Sequence, residues 1–205
     1  MLRQGCLGED ATGWDLAQAV ETIRGVVPES LRQVIEQQLQ QVSPADQRLL
    51  EAASIAGTAF CATAIAAGVN QPTEDLEACL DMLAHHGQFI QSCGLVEWPD
   101  GTVAAGYAFR HDLYRAILYD RIPPSRQRRW HLQIGTRKAQ GYGAQARGMA
   151  AELAEHFIRG RDPNRAIQYL YDAGENAVRR SAYQEAVTHL TKGVEMLQTL
   201  RETPE

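Results

Sequence analysis

The chain has 205 residues, of which 44% are hydrophobic and 22% charged, as is ordinary for a folded globular protein. Its formal net charge of −5 argues against a general nucleic-acid-binding protein, which usually carries a basic face. No stretch approaches the roughly 18 consecutive apolar residues of a membrane span, and the N-terminal residues do not have the pattern of a secretory signal. The scattered cysteines Cys6, Cys61, Cys79 and Cys93 favour reduced thiols over a disulfide framework or a zinc site. We therefore expect a cytoplasmic protein with no membrane partner.

Residues 1–42 begin with a weakly patterned stretch and end in a predicted helix. Glycines interrupt residues 1–27, and we expect this stretch to be the tail of a larger preceding module. Helical periodicity begins at Pro28, because proline suits the first turn of a helix. The predicted helix carries one apolar stripe, formed by Leu31, Val34, Ile35, Leu39 and Val42.

Three short helices are predicted next. Ser43 caps the first, with a proline at the first helical position, and Gly57 ends it. An alanine-rich helix covers about residues 61–67. Thr73 is the expected cap of the third helix, and Gly87 ends that helix.

The pattern then changes to two extended segments. Phe89–Trp98 and Val103–Phe109 are rich in β-branched and aromatic residues, and Pro99-Asp100-Gly101 between them is a turn signal. Three helices followed by such a hairpin form the winged-helix arrangement. We predict a winged-helix domain over residues 43–122.

Residues 123–205 are predicted to be entirely helical. Tyr183, Ala186 and Gly193 have the spacing of aromatic and small residues in a tetratricopeptide unit, and Gly174 lies where the preceding helix needs a small residue. We therefore predict a helical linker followed by a tetratricopeptide-like repeat. Because such units bury their faces against neighbours, further repeats are expected to follow. The predicted fold class is mostly α, a winged-helix domain of three helices plus a β-hairpin followed by α-helical hairpins.

No catalytic or metal-binding motif is found in the sequence. A phosphate-binding loop of the form Gly-x-x-x-x-Gly-Lys-Ser/Thr is absent, so we expect that this chain is not an enzyme and does not hydrolyse ATP. The adjacent His85 and His86 would point about 100° apart on a helix, and His131, His156 and His189 lie on separate predicted helices. We interpret these histidines as surface or satisfied core residues and expect no metal site.

Charge patterning disfavours DNA binding by the predicted winged helix. Its third helix, in the groove-reading position, carries several acids and neither lysine nor arginine, so DNA phosphates would repel it. These acids are Glu74, Asp75, Glu77 and Asp81. A basic run further along the chain is either a phosphate- or partner-binding patch or a solvated helix face that forms ion pairs, and we favour the second interpretation. The run consists of Arg121, Arg126, Arg128 and Arg129.

The junction after the second predicted strand holds the best candidate for a ligand-sensing residue. Asp112 is the expected N-cap of the next helix, because its carboxylate can accept the free N–H groups of the first turn. This cap would fix the direction of His111. From the residues alone, a packing or capping role for His111 is the simpler interpretation.

Four segments of the chain resemble STAND signalling ATPases, the group that includes the NOD-like receptors. Phe109-Arg110-His111-Asp112-Leu113 is similar to the methionine-histidine-aspartate motif of their winged-helix domain, with Arg110 in place of the methionine. The order and spacing resemble most closely the bacterial members, in which a nucleotide-binding module precedes a winged helix and tetratricopeptide repeats. The other similar segments are Val27–Arg32, Leu49–Gly57 and Arg126–His131.

The resemblance implies a non-catalytic sensor region that couples nucleotide state to protein–protein interaction. In that family the motif histidine contacts the phosphates of bound ADP, which implies that His111 senses the nucleotide and that Asp112 orients the junction. Arg110, Arg126 and Arg129 become candidates for phosphate or partner contacts. ATP or ADP would be held by an upstream ATPase module, with this chain by itself holding no cofactor. Residues 1–42 would then be the tail of that module and its connecting helix.

Two alternative functions remain open at this point. The first is a tetratricopeptide-type scaffold that binds protein partners through its helical repeats, with the winged helix as an inert cap. The second is a winged-helix DNA-binding transcription regulator, which the acidic third helix disfavours. Both the sensor and the scaffold function predict a protein partner on the repeats.

Overall fold

The structure, a computed structural model, describes the backbone of residues 29–202 and the side chains of residues 31–200. The predicted tail over residues 1–27 and Cys6 lie outside this range. The described chain is mostly helical with one small sheet, so the predicted mostly α class is confirmed. The elements are α1 (Glu29–Gln40), α2 (Pro44–Ala56), β1 (Ala59–Cys61), α3 (Ala62–Val69), α4 (Thr73–His86), β2 (Ile90–Glu97), β3 (Val103–Phe109), α5 (Asp112–Asp120), α6 (Pro124–Tyr142), a 3₁₀ helix (Gly143–Met149), α7 (Ala150–Gly160), α8 (Pro163–Arg179) and α9 (Tyr183–Glu202).

The chain divides into two compact units. Unit 1 contains the described residues up to Glu97 together with Val103–Trp130. Unit 2 contains Trp98–Thr102, which form the tip between β2 and β3, together with the described residues from His131 onward. Among the helices of residues 29–202, none has the length and the apolar character needed to cross a membrane.

Helix α1 buries only part of its predicted apolar stripe. Ile35 and Leu39 are buried, whereas Leu31 and Val34 are exposed. Because the two buried positions are one helical turn apart, a single narrow line of the helix contacts the rest of unit 1.

Helix α2 begins and ends as its sequence predicts. The Ser43 hydroxyl accepts the backbone N–H of Asp46 at 3.1 Å, and a proline occupies the first helical position. Gly57 follows the last residue with a φ of +129°, which side-chain-bearing residues rarely adopt. Between these ends Leu50 and Ile55 are buried, and α2 packs against α3 and α5.

Loss of the Ser43 cap is expected to destabilise unit 1. Ser43→Ala removes the acceptor for the Asp46 N–H and should lower the free energy of unfolding by about 1 kcal/mol in urea titrations. Ser125→Ala is the matched control, since Ser125 is an exposed serine at the second position of a proline-initiated helix. Equal losses in the two variants would contradict a specific capping contribution from Ser43.

Helix α4 differs from the prediction at its N-terminus. Pro72 occupies the N-cap position with an extended backbone (φ −60°, ψ 140°), and Thr73 is already the first helical residue. The predicted Thr73 cap is therefore wrong. Thr73 lies one position after the N-cap, inside the helix. At the other end Gly87 adopts the left-handed conformation with φ +65°, which confirms the predicted stop.

The sheet has the strand order β1-β3-β2, and all its pairs are antiparallel. β2 and β3 form the predicted hairpin, from Ile90 opposite Phe109 to Glu97 opposite Val103. β1 adds a third strand that the sequence analysis missed. Three residues between two helices provide too little alternation of apolar and polar side chains to mark a strand.

An aromatic cluster joins β1 to β3 in unit 1. The Phe60 ring lies 5.9 Å from the Tyr107 ring and 5.5 Å from the Phe109 ring, centroid to centroid. All three side chains are buried. The short strand is therefore held by ring packing as well as by its backbone pairs.

In unit 2, α8 packs against both α7 and α9. A Cβ at Gly174 would lie 2.7 Å from the Leu190 side chain, and one at Gly193 would lie 3.6 Å from Leu170. These two contacts run in opposite directions along the helices, so α8 and α9 are antiparallel. The glycines thus lie at the helix contact, where the sequence analysis required small residues. Phe157 of α7 is fully buried in the core of this unit.

Candidate functional site

His111 lies between the end of β3 and the beginning of α5, with an extended backbone (φ −146°, ψ 139°). The sheet fixes the chain just before it, because Phe109 donates its N–H to Thr58 O at 2.9 Å and Arg110 donates to Phe89 O at 2.9 Å. The His111 side chain is exposed. Its ring lies 6.1 Å from the Tyr114 ring, and Tyr114 in turn packs edge-on against Phe89.

Asp112 is the first residue of α5, and the N-cap position belongs to His111, so the predicted Asp112 cap is wrong. The Asp112 carboxylate instead accepts the Thr58 hydroxyl at 2.9 Å and faces the Arg115 guanidinium at 3.7 Å. With the carboxylate turned toward β1 and its own helix, no side chain caps the N-terminus of α5. Asp112 therefore ties the start of α5 to the chain just before β1.

Arg110 holds the junction from the opposite side. Its guanidinium donates to the carbonyl oxygen of Gly87 at 2.7 Å, where α4 ends. Arg110 is one of the residues predicted to contact a phosphate or a partner. In the structure this side chain remains exposed while it connects the end of α4 to the residue before His111.

The junction combines groups that attract an anion with an acid that repels one. An uncapped helix N-terminus presents free N–H groups and the positive end of the helix dipole. An exposed imidazole at the N-cap position adds a hydrogen-bond donor beside them. These groups suit a phosphate oxygen, whereas the Asp112 carboxylate at the same helix end keeps its negative charge, because the Thr58 hydroxyl bound to it is neutral.

The other two arginines of the predicted site lie on α6. Arg126 forms an ion pair with the buried Glu51 at 3.5 Å and lies over the Trp130 ring at 5.5 Å. Arg129 is exposed. Within residues 31–200, no hydrogen bond or ion pair connects Arg126 or Arg129 to His111. The Glu51 contact supports an ion-pairing role for Arg126 of the basic run.

Two acids of α4 form hydrogen bonds with the central strand. Glu77 accepts the backbone N–H of Ala105 at 2.8 Å, and Asp81 accepts the Tyr107 hydroxyl at 2.8 Å. Burial, together with the hydrogen bond to Asp81, raises the pKa of Tyr107. These structural roles could not be foreseen, because both partners lie 26 or more residues away in the sequence.

The tip of the β2–β3 hairpin is held against α6 within unit 2. Trp98 is 3% exposed, and the Arg137 guanidinium lies over its ring at 4.6 Å. Arg137 also donates to Asp100 at 2.9 Å and to the Thr102 hydroxyl at 2.7 Å, and Asp100 donates its N–H to the Gly141 carbonyl. Hydrogen bonds from Thr102 lower the pKa of Asp100, and Arg137 adds to this effect.

The remaining histidines do not form a metal site with other ligands. No group of three or more histidine, cysteine or acidic side chains with metal-binding geometry occurs among the residues whose side chains are described. His86 contacts the Met82 carbonyl at 2.8 Å through Nδ1. His131 and His156, which the sequence assigned to separate helices, meet in the interior of unit 2.

Comparison with known proteins yields no match: no family model, no curated protein and no solved structure is significantly similar to this chain.

Proposed function

We propose that this chain is the nucleotide-sensing region of a cytoplasmic signal-transduction ATPase, composed of a winged-helix domain and tetratricopeptide-like helices. Helices α2 to α4 followed by a β-hairpin support the first assignment. The antiparallel α8 and α9, with glycines at their contact, support the second. The chain has no phosphate-binding loop, so the proposed function assigns catalysis to a separate ATPase module.

His111 is the proposed sensor. The observation that carries this proposal is the exposed imidazole at the uncapped N-terminus of α5, held by sheet hydrogen bonds on one side and the Asp112–Thr58 contact on the other. A phosphate oxygen of ADP would accept a charge-assisted hydrogen bond from this ring. Because ADP and ATP differ in where their terminal phosphate lies, only one of them makes this contact, and the difference in binding energy shifts the equilibrium between two arrangements of the protein.

The experiment that tests the sensor is an ADP titration of a polypeptide that joins this chain to its ATPase module. Wild type and His111→Ala are compared by fluorescence of a labelled ADP. Lower ADP affinity together with higher basal signalling supports the proposal, and equal affinities contradict it.

A second function, protein binding through the helical unit, is favoured by an exposed stripe on α9. Its apolar side chains recur every three or four residues, which is the spacing of a helix face that packs on another helix. The stripe consists of Tyr183, Val187, Leu190, Val194 and Leu197, all exposed. Leu190 lies at its border, because its side chain also contacts α8 at Gly174. A helix bound to this stripe would pack on α9 as α8 does on its other side. The proposed binding partner is therefore the apolar face of an amphipathic helix of another protein.

Acidic substitutions in this stripe should leave the chain folded. Val187 is 64% exposed and Val194 is 52% exposed, so Val187→Glu with Val194→Glu is expected to change the free energy of unfolding by no more than about 0.5 kcal/mol per site. Leu170→Ala on the covered face of α8 is the contrasting control and should cost about 3 kcal/mol. If the double variant loses as much stability as the control, the stripe is not a free surface. Retained binding of a helical partner by the double variant would contradict the scaffold function.

A further inference from the structure

A buried pair of histidines joins α6 to α7 in unit 2. His131 is 1% exposed and His156 is 4% exposed. Their Nδ1 atoms are 3.1 Å apart, which is hydrogen-bond distance. One ring must therefore donate its Nδ1–H while the other accepts with a bare Nδ1. This contact tolerates one added proton at most, because a second would place two N–H groups against each other.

Close helix packing keeps the two imidazoles together. A Cβ at Gly135, one turn after His131, would lie 2.8 Å from the Cβ of His156. A Cβ at Gly160, one turn after His156, would lie 3.1 Å from the backbone of Leu132. The two helices are therefore in near-backbone contact beside the pair, and the rings cannot separate unless the helices do.

The charged groups around the pair disfavour protonation. Glu152 lies 3.9 Å from His156 Nε2, but its carboxylate is already bound by the buried Lys138. On the same side Arg159 pairs with Glu155, which Lys192 of α9 also contacts at 3.7 Å. From the start of α8, Arg165 pairs with Asp162 and donates to Thr136 of α6. The acids near the pair are thus occupied by cations. Burial lowers the pKa of His156 to about 3 and that of His131 well below its usual value, with Lys138 and Arg159 adding to the effect on His156.

We propose that the His131–His156 pair is a proton-operated latch, which holds α6 against α7 at neutral pH and releases this contact in mild acid. In the closed state both rings resist protons, whereas in an opened state each would titrate near the usual histidine value of about 6.5. The opened state therefore binds more protons below that pH, and the closed state is lost as the pH falls. This device is independent of His111, which lies in unit 1.

Hydrogen exchange measured at pH 7 and pH 5.5 tests the latch. After correction for intrinsic exchange rates, opening of residues 131–160 should increase by about 70-fold, which is roughly 8-fold for each imidazole. Residues 44–69 of unit 1 contain no histidine and provide an internal reference, with an expected change below about 3-fold. A similar increase in both regions, or an increase of 8-fold or less in residues 131–160, would overturn the proposal.

Substitutions test whether the protons bound on opening are taken up by His131 and His156. Asparagine places an amide nitrogen near the position of Nδ1 without titrating, so His156→Asn should reduce the pH effect to about 8-fold. His189→Asn is the control, because His189 pairs with Glu185 on α9 and is outside the pair, and it should retain the 70-fold effect. If His156→Asn retains the full effect, the latch is refuted. If that variant does not fold, the exchange ratio of the wild-type protein alone decides, since it counts the protons bound on opening.

Discussion

In a polypeptide that joins this chain to the ATPase module of the proposed function, His111→Ala is expected to weaken ADP binding by about 10- to 100-fold. A hydrogen bond to a charged group contributes roughly 1.5–3 kcal/mol, and each 1.4 kcal/mol is a factor of ten in affinity. The His111 ring is exposed and packs only loosely, 6.1 Å from Tyr114, so its removal should leave the fold intact. Isothermal titration with ADP, compared with ATP, measures the effect and its selectivity.

His86→Ala is the matched control for this experiment. His86 is also an exposed histidine of unit 1, but its ring contacts the carbonyl of its own helix at Met82. Its substitution should leave ADP affinity within about 2-fold of wild type, well under the tenfold expected for loss of a charged hydrogen bond. Equal losses in the two variants would mean that His111 has no specific contact with the nucleotide.

Gly141→Ala is expected to be among the most destabilising single-methyl additions in unit 2. A Cβ at this position would lie 2.2 Å from the ring of Trp98 and 2.6 Å from the guanidinium of Arg137. Because both groups are held in place by each other, neither can move without loss of the hairpin-tip contacts. Overpacking of this kind costs about 1–3 kcal/mol, measured as a lower free energy of unfolding in urea.

Gly148→Ala provides the control, since a Cβ at Gly148 would meet nothing within 4 Å. Its free energy of unfolding should stay within about 0.5 kcal/mol of wild type. Combining Gly141→Ala with Trp98→Leu tests the cause directly, because a smaller side chain leaves room for the methyl group. A strictly additive double variant would show that the clash with Trp98 is not responsible.

The sequence correctly predicted those helix ends that a single residue determines. Ser43 and Gly87 are such cases, since the cap or the left-handed turn depends on that residue alone. Thr73 and Asp112 were misplaced by one position, because a polar residue at a helix start has the same composition signal whether it is the cap or the first helical residue.

The features that the sequence did not predict depend on contacts between residues far apart in the chain. β1 was missed because its identity as a strand depends on pairing with Gly106–Ala108, 45 or more residues later. Likewise, the motif around His111 pointed to the junction, but the Thr58 hydroxyl that holds Asp112 lies 54 residues away. His131 and His156 gave no signal because histidines 25 residues apart meet only once α6 and α7 pack.

The hydrogen bond from Ala105 to Glu77 also limits how far the sheet can extend. β1 pairs with β3 only as far as Gly106, so the neighbouring Ala105 N–H faces an edge where no further strand residue follows. An open backbone group at such an edge is a template on which strands of other molecules assemble. With its carboxylate in that place, Glu77 satisfies the Ala105 N–H, so this donor is not open to a strand of another molecule.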